Sequence, residues 1–514
     1  MKKRKGSVYI QDWMKFHPLT KQSKCDNYYL GISKEVYEIL NKDDYLDLLY
    51  GLEEENYKDF ACFLTCYFED IISKIGIWKT FISAHSELYN RFLPFYRLDE
   101  YFEEEINPQD IYFLIWYFLT EYFLDEFLIP EDKLVIELGN EIYEIFDRDY
   151  ESAPENLLLK NFLTIPHEET DFFKIREIMD WYFINSYLFH FKEYEFESEI
   201  EELINSEDEI ILKNVEALAT DYRDQLTLNS TSSLLAFRAK DWLARFLGSD
   251  HPLYQSILEL NKRITGIFLY KGEDDESLIL QHLATDNIIH VTKKSMEAGQ
   301  DFEVDKTFIF INLIKWQKEW WFTGIYSVYD YDEKVLEEEK HSAESLSLFQ
   351  EEGKEDKLLN SLFKSFLEFN DNKPIAFFEN GVKVREFVSS FIHYHNNKTK
   401  AKELKAQGLH NLLKEFPEDK ENLDVILFFS LEKGLELLLG LAHNIPDKLN
   451  STYQPNPKES ILDYFHTPHC SPYLLNYLLL NYPEMIKELE KEMGGNFVGE
   501  NADFLIRYMK HNLF

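Results

Sequence analysis

Cysteine is scarce: Cys25, Cys62, Cys66 and Cys470 are the only four in 514 residues. So few thiols build no disulfide framework. Cys62 and Cys66 lie one helical turn apart in the apolar run 60–68, which marks them as buried, reduced packing residues. Glycine is also scarce, at 18, and no Gly-rich loop that cradles phosphate is present. Basic residues are outnumbered 54 to 94, for a net charge of −40. The deficit is concentrated: residues 97–212 hold 32 Asp and Glu against 7 Lys and Arg, a net of −25. Nucleic-acid binding rests on phosphate neutralisation by Lys and Arg, so this stretch repels it, and an anionic membrane surface is disfavoured for the same reason. A basic partner fits it; a solvated acidic surface is the plainer reading. Long apolar runs are missing too. Residues 111–119 are greasy, but Glu121, Asp125 and Glu126 follow, and charges there are costly in lipid. The start, Met1-Lys-Lys-Arg-Lys-Gly6, is followed by Val8-Tyr-Ile10 and then Gln11 and Asp12, which is no signal-peptide core; it reads as a cytoplasmic start.

What is present is a large core. Apolar residues make up 45% of the chain, with 42 Phe and 32 Tyr, so it folds rather than staying disordered. Apolar side chains at helical spacing predict helices over 29–40, from 45, over 56–76, 77–92, from Asn107-Pro108, 130–145, 170–194, 198–205, 209–228 and 232–247. From Ile264 the period changes. Strands are expected near 264–270, 277–283, 288–292, 307–314 and 320–328, with turns at 271–275, 284–287 and 315–319. Five short strands in so compact a stretch suggest a small barrel, SH3-like or OB-like. Beyond it, helices are expected at 358–369, 382–394, 398–415, 435–443, 458–464, 472–482 and 501–511, with β-like runs at 374–378 and 424–429. The fold expected is mainly α with an inserted small β-barrel, α+β overall. Its domains would be an acidic α-helical domain (1–255), the barrel (262–330), a charged linker or helix (331–357) and a mostly helical C-terminal domain (358–514).

The opening Val8-Tyr-Ile-Gln-Asp-Trp13, then Pro18 and Asp26-Asn-Tyr-Tyr-Leu30 leading into a helix, resembles a family of uncharacterised bacterial proteins, a domain of unknown function opening with Tyr-Ile-x-Asp-Trp. A second stretch agrees: Leu427-Phe-Phe-Ser-Leu-Glu-Lys-Gly-Leu-Glu436, then Ile445-Pro-Asp-Lys448. Where the family pattern has Asn-Pro-Lys before the glycine, this chain has Leu-Glu-Lys433 after Ser430. The resemblance implies a cytosolic bacterial protein and carries over no activity, ligand or catalytic residue. Leu280, Leu283, Thr285, Trp320 and Gly324 are similar to a strand-pair and closing Trp-x-x-x-Gly pattern of small bacterial β domains, a likeness of fold alone.

Chemistry-bearing motifs are sparse. His466-Thr-Pro-His469-Cys470 is the densest set of metal-capable side chains; His466, His469 and Cys470 can contribute to tetrahedral zinc. No second Cys or His pair stands at finger-like spacing, and Thr467-Pro468 also reads as a helix-entry turn. No other cofactor is expected. His393 and His395 would face different sides of a helix. Lys398, Lys400, Lys402, Lys405 and Lys414 form the one basic island, able to hold phosphate or nucleic acid with His395 and His410, or simply a solvated helix face. The barrel offers Lys293, Lys294, Lys315, Trp316, Lys318, Trp320 and Trp321; because Trp320 and Trp321 are adjacent, one of them is core. Gly-x-Ser-x-Gly is absent, Ser361-Leu-Phe-Lys364 sits in an amphipathic helix, and His167-Glu168-Glu169 lacks the second His of a zincin.

These observations point to a non-catalytic cytosolic protein-interaction module with a protein partner, for which a basic one fits the charge. Lys315, Trp316 and Trp321 are the first docking candidates and Glu103, Glu104 and Glu105 the second. The alternative is a hydrolytic enzyme with a site between the barrel and the C-terminal domain, drawing on His393, His395, His466, His469 and Cys470. The third is nucleic-acid binding through residues 398–414.

Overall fold

Helical periodicity over the N-terminal half becomes a packed set of helices in the computed structural model. It describes residues 6–18, 21–98, 100–123, 128–260, 263–296, 302–349, 354–399, 422–455 and 460–514, with backbone alone at 209–210, 343 and 354–356. The chain divides into two compact units, Met1–Ser232 with Phe237–Phe349, and Ser233–Ala236 with Gln350–Phe514. Among the described residues no helix is long and apolar enough to cross a membrane.

The first unit runs α1 (Ile10–Met14), α2 (Asp26–Leu40), α3 (Glu54–Ser73), α4 (Ile77–Tyr89), α5 (Pro108–Tyr122), α6 (Lys133–Asp149), α7 (Leu157–Phe162), α8 (Phe172–Asp180), α9 (Phe191–Ile204), α10 (Glu209–Lys213), α11 (Val215–Asn229), α12 (Ala239–Leu247) and α13 (Tyr254–Leu258). A capping box starts α3, with the Glu53 N–H donating to the Asn56 side chain at 3.0 Å. Its end is set by Lys74 in the left-handed region (φ 52°) and by Gly76 (φ 105°), a backbone glycine tolerates without strain. Between those ends α3 is buried on nearly every face, Cys62 and Cys66 included, and Phe60 stacks on Phe118 of α5 at 4.2 Å. Pro108 occupies the first turn of α5, where its missing N–H costs nothing.

Two helical expectations fail here. Residues 45–52 form a short 3-10 turn (Asp43–Tyr45) and further turns. The helix expected over 170–194 breaks after α8 into a π-turn (Trp181–Asn185) and a 3-10 turn (Tyr187–Phe189) before α9. Trp181, Tyr182, Phe183, Ile184, Tyr187, Leu188 and Phe189 are all buried. The backbone changes pitch through this wholly buried aromatic stretch.

The β segment follows: β1 (Ile264–Glu273), β2 (Ser277–His282), β3 (Ile288–Thr292), β4 (Thr307–Trp316) and β5 (Glu319–Asp330). Antiparallel pairs β1–β2, β2–β3, β1–β4 and β4–β5, with a parallel contact of β3 and β5 at Val291 and Trp320, give every strand two neighbours. This mixed sheet therefore leaves no unpaired edge strand. Phe268, Leu280, Val291, Ile309, Ile311 and Leu313 fill its interior. After it come α14 (Glu333–His341) and α15 (Ala343–Ser347).

Sheet and helices are joined by a buried ionic cluster. Arg176 of α8 donates to Thr323 of β5 at 3.0 Å, pairs with Asp180 at 3.3 Å and also pairs with Asp224 of α11. Thr323 donates to Asp224 at 2.5 Å, while Asp221 accepts from Arg263 at 2.6 Å and from Asn312 of β4 at 2.8 Å. Gly324 has φ 72°, and an added Cβ would stand 3.0 Å from Asp224 Oδ2 and 3.1 Å from Asn312 Nδ2. Gly324→Ala is therefore expected to cost about 1–3 kcal/mol, from a strained left-handed backbone plus a crowded carboxylate. Urea unfolding of the variant checks this; an unchanged midpoint would refute it.

The second unit holds α16 (Lys354–Phe369), β6 (Ile375–Phe378), α17 (Gly381–Thr399), β7 (Val425–Ser430), β8 (Gly434–Leu439), α18 (Asp463–His466), α19 (Pro472–Asn481), α20 (Pro483–Glu492) and α21 (Val498–Met509). Its antiparallel sheet has the order β6-β7-β8, with β7 buried throughout. Phe366, Val384, Val388, Phe391, Val425, Leu427 and Phe429 form the core. The helix expected over 435–443 is a correction: Leu435–Leu439 pairs with β7 through a hairpin turned at Gly434 (φ 78°). Overall the chain is α+β, rich in helix, with a five-strand mixed sheet and a small three-strand sheet.

Candidate functional site

The turn between α3 and α4, the loop before α5 and the end of α12 surround a cleft of about 460 Å³, lined by residues that include Lys74, Lys79, Glu87, Glu103, Glu104 and Arg245. That volume suits a small molecule or a partner's side chains. At its base Asp70 is buried and accepts from the backbone N–H groups of Gly76 (2.7 Å), Ile77 (3.2 Å) and Trp78 (2.6 Å), so it caps α4. Tyr187 donates to the same carboxylate at 2.9 Å. Burial still pushes the Asp70 pKa upward against these donors. Thr80 donates to the Gly76 carbonyl at 2.7 Å. On the rim Lys79 pairs with Glu104 at 3.0 Å and Arg245 with Glu87 at 3.4 Å, and the Arg245 guanidinium lies 4.4 Å from the Phe237 ring centre. The bond from Lys79 lowers the Glu104 pKa. The lining carries both signs of charge, Lys74, Lys79 and Arg245 with Glu87, Glu103 and Glu104.

The acidic rim is pinned from below. Asn107 donates to the carbonyls of Phe102 (3.0 Å) and Glu105 (3.1 Å) and accepts from the Phe102 N–H at 3.3 Å. Beneath it, fully buried Asp110 accepts from the hydroxyls of Tyr67 (2.7 Å) and Tyr101 (2.9 Å) and from Asn107 (3.2 Å). Trp78 Nε1 donates to the Tyr101 hydroxyl at 3.1 Å. Burial raises the Asp110 pKa to about 7. The loop thus holds Glu103, Glu104 and Glu105 exposed in a fixed arrangement beside Phe102, which is 53% exposed.

The other sequence-chosen residues do not converge. Trp316 and Trp321 are each 1% exposed: Trp316 donates to the Thr170 carbonyl at 3.0 Å, and both rings pack on Phe172. They are core between sheet and helix and present no docking face, whereas Lys315 is exposed. Of the adjacent pair, Trp321 is the core member and Trp320 is half-buried. Cys470 is buried, with its thiol pKa pushed up to about 12 by desolvation, while His466 and His469 are exposed. His395 is buried against Ser365 (2.9 Å) and His393 is exposed, as opposite faces of α17 require. Lys398 is exposed and pairs with Glu368. Lys400, Lys402, Lys405, His410 and Lys414 lie outside the described residues.

A family model described as "Protein of unknown function (DUF3843)" matches residues 7–355. The chain belongs to this family. No curated protein and no solved structure matches it. The DUF3843 span contains the opening motif, the cleft, the acidic rim and the five-strand sheet, and ends before the stretch at 427–448. Sequence reasoning found the rim glutamates as a charge run. Of the DUF3843 residues that hold them, it placed Asn107 only as a helix start and missed Asp110, since one carboxylate among 94 acidic residues carries no local signal.

Proposed function

We propose that the chain is a non-catalytic protein-interaction module of the bacterial cytoplasm that receives a basic segment of a protein partner on the Phe102–Glu105 rim. The carrying observation is the rim itself: an exposed aromatic beside three exposed carboxylates, held by Asn107 and the Asp110 network. A prearranged loop loses less entropy on binding, and an aromatic flanked by charge is the make-up of an interface anchor. The net charge of −25 over residues 97–212 would steer a basic partner toward it. In this reading the five-strand sheet is a small SH3-like or OB-like barrel. It serves as a structural support, its tryptophans spent on internal packing. The domain limits are those of the helical, barrel and C-terminal segments expected above. Burial of Cys470 and His395 while His393, His466 and His469 are exposed weighs against the hydrolytic alternative.

The test is affinity capture from a cell extract with wild type and the Glu103→Lys/Glu104→Lys/Glu105→Lys variant, with retained proteins identified by mass spectrometry. The reversed rim should lose a basic partner that wild type holds, with at least about a tenfold drop in affinity and a loss on adding salt. A retained set that the triple reversal leaves unchanged overturns the reading.

A further inference from the structure

His17, Asp26 and Glu69 are far apart in sequence and together in space. One ligand atom from each lies within 4.8 Å of the others, the one such group of three or more His, Cys, Asp or Glu found among the described residues. His17 follows α1, Asp26 opens α2 and Glu69 sits in the last turns of α3. All three side chains are almost wholly buried. His17 Nε2 lies 2.8 Å from Glu69 Oε2, and its Nδ1 lies 3.1 Å from the Trp13 carbonyl. A carbonyl only accepts, so Nδ1 carries a proton; the Glu69 carboxylate only accepts as well, so Nε2 is protonated while it faces Glu69 alone, and a metal ion would take the place of that proton at Nε2. The remaining oxygens are held by donors: Asn156 donates to Glu69 Oε1 at 2.9 Å, Trp13 Nε1 to Asp26 Oδ1 at 3.3 Å, and the Ser23 N–H to Asp26 Oδ2. Outer partners of this kind fix the ring tautomer and aim the carboxylates of metal centres.

Two further observations point to an occupant. A cavity of about 10 Å³ has His17, Lys21, Ser23, Asp26 and Asn156 among its lining residues. This is room for a single water-sized species. The buried charges are also unequal: two buried carboxylates face one imidazole, so even a protonated His17 leaves a net negative charge in the interior, with the Lys21 ammonium on the cavity lining but exposed to solvent, a costly arrangement unless a cation completes it from within.

We propose that His17, Asp26 and Glu69 bind one first-row divalent cation of the zinc class, which ties α1, α2 and α3 together. An imidazole nitrogen with two carboxylate oxygens suits such an ion. Ligand bonds of ~2.0–2.2 Å place tetrahedral neighbours ~3.4 Å apart, so the His17–Glu69 pair opens slightly on binding and Asp26 closes in. The fourth position faces the cavity and takes water. The site is independent of the acidic rim: it lies on different residues and needs no partner.

The test uses the full chain, stripped with chelator and given Zn²⁺ alone. Elemental analysis after desalting should find one retained equivalent, and Co²⁺ in its place should give the visible absorption of a low-symmetry site. Asp26→Asn and His17→Gln should lose the equivalent, whereas the His466→Ala/His469→Ala double variant should keep it. Anomalous scattering at the zinc edge, from crystals of the wild-type chain, needs no variant to fold and should place the ion at His17 Nε2. Retention of no metal overturns the proposal. So does metal that persists in Asp26→Asn and His17→Gln, or an anomalous peak elsewhere.

Discussion

Arg176→Ala is expected to destabilise the first unit by about 3–5 kcal/mol at neutral pH, because it takes the ion pair from buried Asp224 and leaves Asp180 with Arg223 alone (3.5 Å). Asp224 is fully buried, and Arg176 reaches it, Asp180 (3.3 Å) and Thr323 (3.0 Å) from one guanidinium. Only Arg presents donors in such a fork, so Arg176→Lys should restore little. The pH dependence tests the cause. Burial raises the pKa of both Asp180 and Asp224, with Arg176 the leading opposing influence in each case. A carboxyl whose folded pKa is raised contributes stability that is present below its ordinary value and is lost as pH rises through the raised one. Removing Arg176 raises both pKa values further. The deficit of the variant should therefore be largest near neutrality and shrink as pH falls toward the ordinary carboxyl range, because protonation discharges the groups left unpaired. Urea unfolding followed by tryptophan fluorescence at several pH values measures it. A deficit that is below about 1 kcal/mol, or flat with pH, would show that the cluster is not the buried charge bridge described above. Asp224→Asn in the Arg176→Ala background should recover much of the loss, since it removes the charge left unpaired.

Much of the fold was legible in the sequence where local pattern and tertiary demand agree. The five strands between 264 and 330 were visible from β-branched and aromatic residues alternating around short polar turns, and all five lie close to their expected limits. The start of α5 was visible in Asn107-Pro108. Pattern failed where packing overrode propensity. Leu435–Leu439 is a run that favours helix, yet it pairs with β7 because Gly434 turns the chain back. Residues 172–204 have helical spacing at both ends, but the backbone between them changes pitch in a way that no periodicity shows. The candidate sites were half legible. Glu103–Glu105 stood out as a charge run, while Trp316 and Trp321 were chosen for a property, aromatic beside basic, that serves a core as well as a surface. His17 and Glu69 are separated by 52 residues, a distance over which linear spacing says nothing about contact. The N-terminal segment that carries His17 is anchored through Trp13, which is fully buried.

Asp110→Asn should make stability less dependent on pH between about 4 and 8, the interval over which the native carboxyl titrates. Asp110 has an ordinary value of 3.8 and a folded value of about 7, because burial outweighs the donors from Tyr67, Tyr101 and Asn107. Between those two values the folded chain holds a proton that the unfolded chain has released. Stability is full below the lower one and falls as pH rises to the upper, by about 4 kcal/mol for this group alone. Asn resembles the protonated carboxyl in shape and lacks the titration. Near pH 4 the two proteins should differ by no more than rearranged hydrogen bonds with Tyr67 and Tyr101, about 1–2 kcal/mol. Near pH 8 the balance should move in the variant's favour by several kcal/mol. Since Asn107 bonds both Asp110 and the carbonyls of Phe102 and Glu105, the same substitution tests the rim. If the network fixes the loop, amide hydrogen exchange across residues 101–105 should quicken in Asp110→Ala, which removes the acceptors, and stay near the native rate in Asp110→Asn, which keeps one. Parallel stability curves for wild type and Asp110→Asn from pH 4 to 8 would show that this carboxyl titrates at its ordinary value and that burial does not govern it.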